Sequence, residues 1–253
     1  MNNQPVAFPD QTPDECSFKA MPTSNRILDV LCCVLALPVL TFLALLMTVF
    51  TRLVSPGPVF FRQERVGFRG RRFRIFKFRT MHVDADLKVH QNHFKQLIVS
   101  NAPMVKLDAL HDTRLIPGGW MLRASGLDEL PQLINVLLGE MSLVGPRPCI
   151  PGEFEQFLPW QRERINAVPG LTGLWQVSGK NRTTFDEMIR LDIHYARHAS
   201  LGMNLKIIFL TPWAMAVQFY DTRPSGNVAV PAAPLPGSIL PLTPTSTPPS
   251  IAA

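Results

Sequence analysis

Residues 27–50, ILDVLCCVLALPVLTFLALLMTVF, are almost wholly apolar, and no other feature constrains the chain as strongly. A run of this length spans a bilayer as an α-helix. A secretory signal does not fit: the polar lead is too long, the apolar run is too long, and no clear cleavage site follows. Two residues complicate a plain span. Pro38, at its centre, removes an amide donor and crowds the preceding turn, and Asp29 sits near its start. Lys19 and Arg26 precede the run and a denser cationic stretch follows it. Positive charge on both flanks fits a helix that enters and leaves on the cytoplasmic face. A spanning helix kinked at its proline, with the N-terminus outside, fits as well. The sequence leaves both topologies open.

The flanking composition divides the rest. Residues 1–24 are polar and punctuated by proline and read as a flexible lead, with the membrane helix over 25–54. From Ser225 onward no residue is charged and proline is frequent, so 222–253 read as a disordered tail that cannot bury a core. The remaining span, 55–221, is long enough for one domain of mixed α/β class. Residues 58–81 predict two strands around a Gly67–Gly70 turn, and 82–112 predict partial helix followed by loop. A helix is predicted from near Asp128, with Leu130, Leu133, Ile134, Leu137 and Leu138 at helical spacing and Gly139 as its stop. Met141–Val144 and Leu171–Val177 predict short strands, and 183–198 a helix. Residues 205–220 are apolar but short and broken by Pro212; an interfacial helix and a core helix are both open.

The net charge of +6 suits phosphates, an anionic membrane face or nucleic acid without choosing among them. The four cysteines show no CxxC or Cys/His clustering, which argues against a zinc site or a disulfide framework. Candidate chemistry begins with Leu127-Asp128-Glu129-Leu130-Pro131. Proline is tolerated in a first helical turn, so the adjacent carboxylates fall at the positive end of a helix. There Asp128 can act as a nucleophile on phosphorus and Glu129 can hold Mg²⁺; equally, Asp128 can be an N-cap. Gly145-Pro146-Arg147-Pro148 is a stiff turn presenting one guanidinium, the side chain best shaped for phosphate, or a plain surface turn. Cations from Arg62 to Arg79, Lys77 among them, sit where they meet anionic headgroups, with nucleic acid as the competing partner. Arg123 can bind phosphate, and Asp192 can be a further ligand; a surface ion pair is the alternative for each. His194 and His198 lack an obvious third ligand. Residues 169–180, PGLTGLWQVSGK, carry glycines that permit close backbone approach, at a spacing unlike a P-loop or a dinucleotide fingerprint.

In series these segments resemble the bacterial sugar transferase family, the monotopic polyprenyl-phosphate phosphoglycosyl transferases that initiate exopolysaccharide, capsule and glycan assembly. The stretches carrying the resemblance are Arg26-Ile-Leu-Asp29, Ser55–Gln63, Arg65-Val-Gly67, Phe76–Met81, Leu127–Gln132, Gly139–Pro148, Pro169–Gly179 and Leu191-Asp192. They cover roughly residues 26–215 in the family's order. The resemblance implies a cytoplasmic catalytic domain on the bacterial inner membrane, a re-entrant helix broken at Pro38, and interfacial helices. It implies Asp128 and Glu129 as the catalytic pair, with Mg²⁺ on Glu129 and Asp128. Asp128 attacks the β-phosphate of a UDP-sugar, UMP leaves, and the sugar phosphate passes to polyprenyl phosphate. Arg147 and Arg123 steady the nucleotide or phosphates, with Lys77, Arg79 and Asp192 as further substrate-binding candidates. Membrane lipids are the implied surroundings, and nucleic acid is not a partner. A catalytically silent membrane scaffold of a polysaccharide assembly complex is the alternative. Leu37 stands where the family often has serine before the breaking proline, and Ser125-Gly126 where Thr-Ser commonly precedes the acidic pair.

Overall fold

The computed structural model describes residues 22–83, 114–180 and 183–221. The lead up to residue 21, the tail from 222 and the partly helical stretch expected over 82–112 therefore lie wholly or largely outside the described residues. Helix α1, Thr23–Val54, has 32 residues and is about 48 Å long at 1.5 Å per residue. Its buried stripe is Asn25, Asp29, Cys33, Leu40, Met47 and Thr51, at the four- and seven-residue spacing of one helix face. Leu31, Leu35, Phe42, Leu45 and Leu53 point outward and are exposed. The break expected at Pro38 does not interrupt the helix, which continues as one element through it. Proline removes a single donor, and packing on both sides sustains the remaining ladder: Cys33, Ala36, Leu40 and Ala44 all belong to one core cluster.

Both ends of α1 are tied to the same body. The Arg26 guanidinium donates to the carbonyls of Val136 and Leu137, and Asp29 Oδ1 accepts the Leu143 amide at 3.0 Å. At the far end, Arg79 donates to the Ser55 carbonyl at 2.7 Å and to its hydroxyl at 3.0 Å.

The expected hairpin forms. Strand β1 (Phe60–Val66) pairs antiparallel with β2 (Arg72–Phe78), in register from Phe60↔Phe78 to Val66↔Arg72. A 3₁₀ turn at Phe68–Gly70 connects them, with Arg69 at φ 52°. The other edge of β2 is capped by a side chain: Asn135 donates to the Arg74 carbonyl at 2.8 Å and accepts the Phe76 amide at 3.0 Å. After the hairpin, α2 (Gly119–Ala124), a 3₁₀ segment (Leu127–Gln132) and α3 (Leu133–Leu138) carry the acidic pair. Strand β3 (Ser142–Val144) lies parallel to β4 (Gly170–Thr172). The strand expected over Leu171–Val177 stops at Thr172, and Leu174–Val177 is a helical turn, α5. That turn drives Trp175 into the core, where its indole donates to Thr183 at 2.6 Å. Between the strands the backbones nearly touch: a Cβ on Gly145 would sit 2.2 Å from the Val168 carbonyl oxygen.

A short helix α4 (Pro151–Phe154) and a 3₁₀ segment (Pro159–Asn166) precede β4. Helix α6 (Phe185–His198) starts at a capping box formed by Thr184 and Glu187 and buries Phe185, Met188, Ile189 and Ile193 against Val66, Phe157 and Trp175. Helix α7 (Leu201–Asp221) runs straight through Pro212 and is longer than its apolar run suggests. It buries Ile207 against Val144 and Tyr195 and leaves Phe209, Trp213 and Tyr220 exposed. Its buried face fits the core-helix reading, and the other face carries the exposed apolar side chains.

Candidate active site

The acidic pair sits where the chain turns sharply into α3. Gly126 adopts a left-handed conformation, φ 71°, which favours glycine. The segment it opens is a 3₁₀ helix, not the α-helix expected from Asp128; the α-helix proper begins at Leu133. Pro131 has no N–H to give to the Leu127 carbonyl, and the turn closes instead with the tighter bond from the Glu129 amide to the Gly126 carbonyl, 3.0 Å. The residue in the cap position is Gly126, so Asp128 is the second residue of the turn rather than its N-cap. Asp128 is only 4% exposed. Glu129 keeps 35% of its side-chain surface and accepts from Lys77 Nζ at 2.7 Å. Lys77 reaches it from β2, which packs directly on the turn. Arg123, half-buried on α2, precedes the pair by one further turn of chain.

A second group forms around Gly145-Pro146-Arg147-Pro148, just after β3. The backbone of this loop is buried and Arg147 is its half-buried member. Asp192, on α6, lies beneath it: it pairs with Arg164, and Arg164 also donates to the Arg147 carbonyl at 2.8 Å. Burial pushes the Asp192 carboxyl up to about 6, and the Arg164 guanidinium pulls it back. Asp192 therefore braces the loop from inside.

Arg65 links the two groups. It is 5% exposed and donates to the Pro148 carbonyl at 3.1 Å and to Gln63 Oε1 at 2.6 Å. Burial, then the charge of Arg147, brings it down to about 10; Glu153, Cys149 and Glu129 oppose that. It stays charged at neutral pH and feels both Arg147 and Glu129. Glu153, also buried, takes the Ile150 amide at 3.1 Å.

The sequence candidates thus separate. Lys77, Asp128 and Glu129 come together, as do Arg147 and Asp192. Arg79 goes elsewhere: its guanidinium is buried and bonded to Ser55 and to the Pro58 carbonyl at 2.7 Å, so it clamps the end of α1. Sequence reasoning did not single out Arg65, Arg164 or Glu153. The signal for Arg65 was its place in Arg65-Val-Gly67, but among so many cations nothing marked it as buried.

Among the described residues no three His, Cys, Asp or Glu side chains gather into a metal cage. The acidic pair still fits Mg²⁺, which takes one or two protein carboxylates and completes its shell with substrate phosphates and water. Half-exposed Glu129 is open to such an ion.

The model of the bacterial sugar transferase family matches residues 20–218. The chain belongs to that family. Among relatives, the chain is 39% identical over 189 residues to the exopolysaccharide production protein ExoY of Sinorhizobium fredii, with 74% of this chain and 83% of the relative covered. It is 41% identical over 193 residues to the galactosyl transferase CpsE of Streptococcus agalactiae, covering 74% of this chain and 41% of the relative. It is 39% identical over 196 residues to the UDP-glucose:undecaprenyl-phosphate glucose-1-phosphate transferase of Xanthomonas campestris, covering 74% and 38% respectively. The chain thus spans under half the length of the latter two. Among the described residues one helix, α1, is long and apolar enough to cross a membrane.

Proposed function

We propose that this sugar transferase moves a sugar 1-phosphate from a UDP-sugar to polyprenyl phosphate at the cytoplasmic face of the bacterial inner membrane. The observation that carries the reading is the pairing of buried Asp128 with half-exposed, Lys77-bonded Glu129 at a helix entrance. The names of several relatives supply the donor and acceptor classes.

In the first half-reaction an Asp128 oxygen forms a bond to the β-phosphorus while the bond from that phosphorus to the bridging oxygen breaks. UMP leaves with that oxygen and its electron pair. In the second, an oxygen of the acceptor phosphate bonds to the same phosphorus, and the bond to Asp128 breaks, restoring the carboxylate. The 3₁₀ turn holds Asp128 in place. Lys77 offsets the charge of Glu129, and Arg147 and Arg123 hold phosphate oxygens as substrate binds. Mg²⁺, held by Glu129 and Asp128, supplies neutralisation of the phosphate charge. Asp192 and Arg164 fix the loop that aims Arg147.

The outward apolar face of α1 supports its role as the membrane anchor, with Leu31, Leu35, Phe42 and Leu45 in lipid. The test is UMP release by the detergent-solubilised protein with Mg²⁺ and undecaprenyl phosphate across a panel of UDP-sugars. Release with one donor, dependent on acceptor beyond a single turnover, is the expected result. A folded preparation inert to every donor, with no phosphosugar adduct by intact mass, favours a silent scaffold instead.

A further inference from the structure

Helix α7 has an inward face, Asn204, Ile207 and Gln218, and an outward one, Phe209, Trp213 and Tyr220. At 3.6 residues per turn, Met215 and Phe219 fall on a flank between the two. That flank comes to the acidic pair. A Cβ on Gly126 would sit 3.0 Å from the Met215 terminal methyl, so the glycine leaves the room that Met215 occupies. Gly126 is two residues before Asp128, and their Cα atoms are at most about 7.6 Å apart. Phe219 stacks on Trp120 with ring centroids 6.4 Å apart, which fixes this side of α7 against α2. Met215 is 37% exposed, and Leu127, next to the nucleophile, is also 37% exposed.

We propose that Met215 and Leu127 form a subsite for the first isoprene units of the polyprenyl phosphate acceptor. The proposal rests on the reaction read above and adds where the lipid half of that acceptor lies. The diphosphate and sugar of a nucleotide sugar, the parts that must reach Asp128, are polar and gain little from an exposed thioether and an exposed leucine. The acceptor joins an anionic head, which must reach Asp128, to an apolar tail, which must remain in an apolar phase. The flank of α7 links those two requirements, because it starts at the acidic pair and continues along the same side of the helix to the exposed Leu205 and Leu201. Methionine, unbranched and polarizable, adapts to a flexible chain better than a rigid side chain does.

The experiment compares a long-chain polyprenyl phosphate with geranyl phosphate as acceptor, using the whole protein in detergent and the UDP-sugar that supports UMP release. The readout is the ratio of kcat/KM for the long acceptor to that for the short one. Burial of a methionine side chain corresponds to about 10–100-fold in binding. Met215→Asn is therefore expected to cut the ratio about tenfold or more, and Met215→Leu to restore most of it. A ratio unchanged in Met215→Asn, or an equal fall for both acceptors, overturns the subsite. A benzophenone-bearing polyprenyl phosphate provides a readout without mutation: its cross-link is expected on the peptide holding Met215 or Leu127, and a cross-link mapping only elsewhere also overturns the subsite. Failure of the parent protein to release UMP with any donor, by contrast, removes the reaction reading itself and the subsite with it.

Discussion

Asp128 and Asp192 are both almost completely buried, yet they do opposite things. Asp192 sits within a regular helix and is paired with the Arg164 guanidinium. Asp128 sits on a tight 3₁₀ turn opened by a left-handed glycine, beside a second carboxylate that remains one-third exposed. Burial alone does not make a carboxylate reactive. A buried acid paired with a guanidinium within a regular helix belongs to the frame; one on a tight turn beside a solvent-accessible carboxylate is the candidate for the proposed chemistry. Charge placement follows the same division, with Lys77 facing the acidic pair and Arg164 facing the brace.

The largest effect should come from the reactive member. Asp128→Asn keeps the side-chain volume and removes the nucleophile, so turnover is expected to fall by about 10⁴-fold or more. The thermal midpoint and membrane association should stay near those of the parent. Turnover close to the parent level would transfer the chemistry to another group and collapse the distinction between the two aspartates.

Asp192 should show the reverse balance. Asp192→Ala leaves the Arg164 guanidinium buried without its partner, a loss of about 3–5 kcal/mol in stability. Combining Asp192→Leu with Arg164→Met removes both charges and is expected to regain most of that stability, because an apolar pair of similar volume replaces a buried ion pair with little loss. Activity should not return with it, since the Arg147 carbonyl has lost its Arg164 donor. Denaturant unfolding beside UMP release separates the two readouts. Recovery of both together would mean that Asp192 and Arg164 serve folding alone.

These differences were unequally legible in the sequence. The hairpin was readable because its glycines and alternating residues specify a turn between strands. The acidic pair was readable because Pro131 fixes where a helix can begin, although the same proline made the first turn 3₁₀. Asp192 was visible but its role was not: Arg164 approaches from a polar 3₁₀ segment with no periodic pattern to mark it as buried. Lys77 and Arg79 are two residues apart and read alike, yet β2 ends at Phe78 and the chain then turns, sending one to Glu129 and the other to Ser55. Composition cannot report where a strand stops.

A smaller effect tests what holds the braced loop beside β4. Gly145 meets the Val168 carbonyl and the Gly170 amide so closely that a Cβ would lie 2.2 and 2.7 Å from them. Gly145→Ala must push the two backbones apart, and about 1–3 kcal/mol of stability is the expected cost of such overpacking. Gly152→Ala is the control, because nothing lies within 4 Å of a Cβ there. Equal thermal midpoints for the two variants would show that the β3–β4 approach yields easily and that the brace under Arg147 does not depend on it.

The smallest stability effect should come from Lys77, and it sharpens the comparison most. Its bond to Glu129 is short, but both side chains are partly open to solvent, at 19% and 35%. Screened pairs of this kind contribute about 0.2–1 kcal/mol, so Lys77→Met should unfold within that margin of the parent. Arg164, nearly sealed against Asp192, has no such tolerance. Activity should separate the pairs in the other direction. Lys77 stands where charge builds up as a diphosphate and a divalent ion gather at the acidic pair, so its loss should lower kcat/KM and change the Mg²⁺ concentration needed for half-maximal rate. A variant equally stable, equally active and unchanged in its Mg²⁺ dependence would make Lys77–Glu129 an ordinary surface ion pair and leave Glu129 without a demonstrated tie to the chemistry. A variant as unstable as Asp192→Ala would instead make both ion pairs parts of one frame.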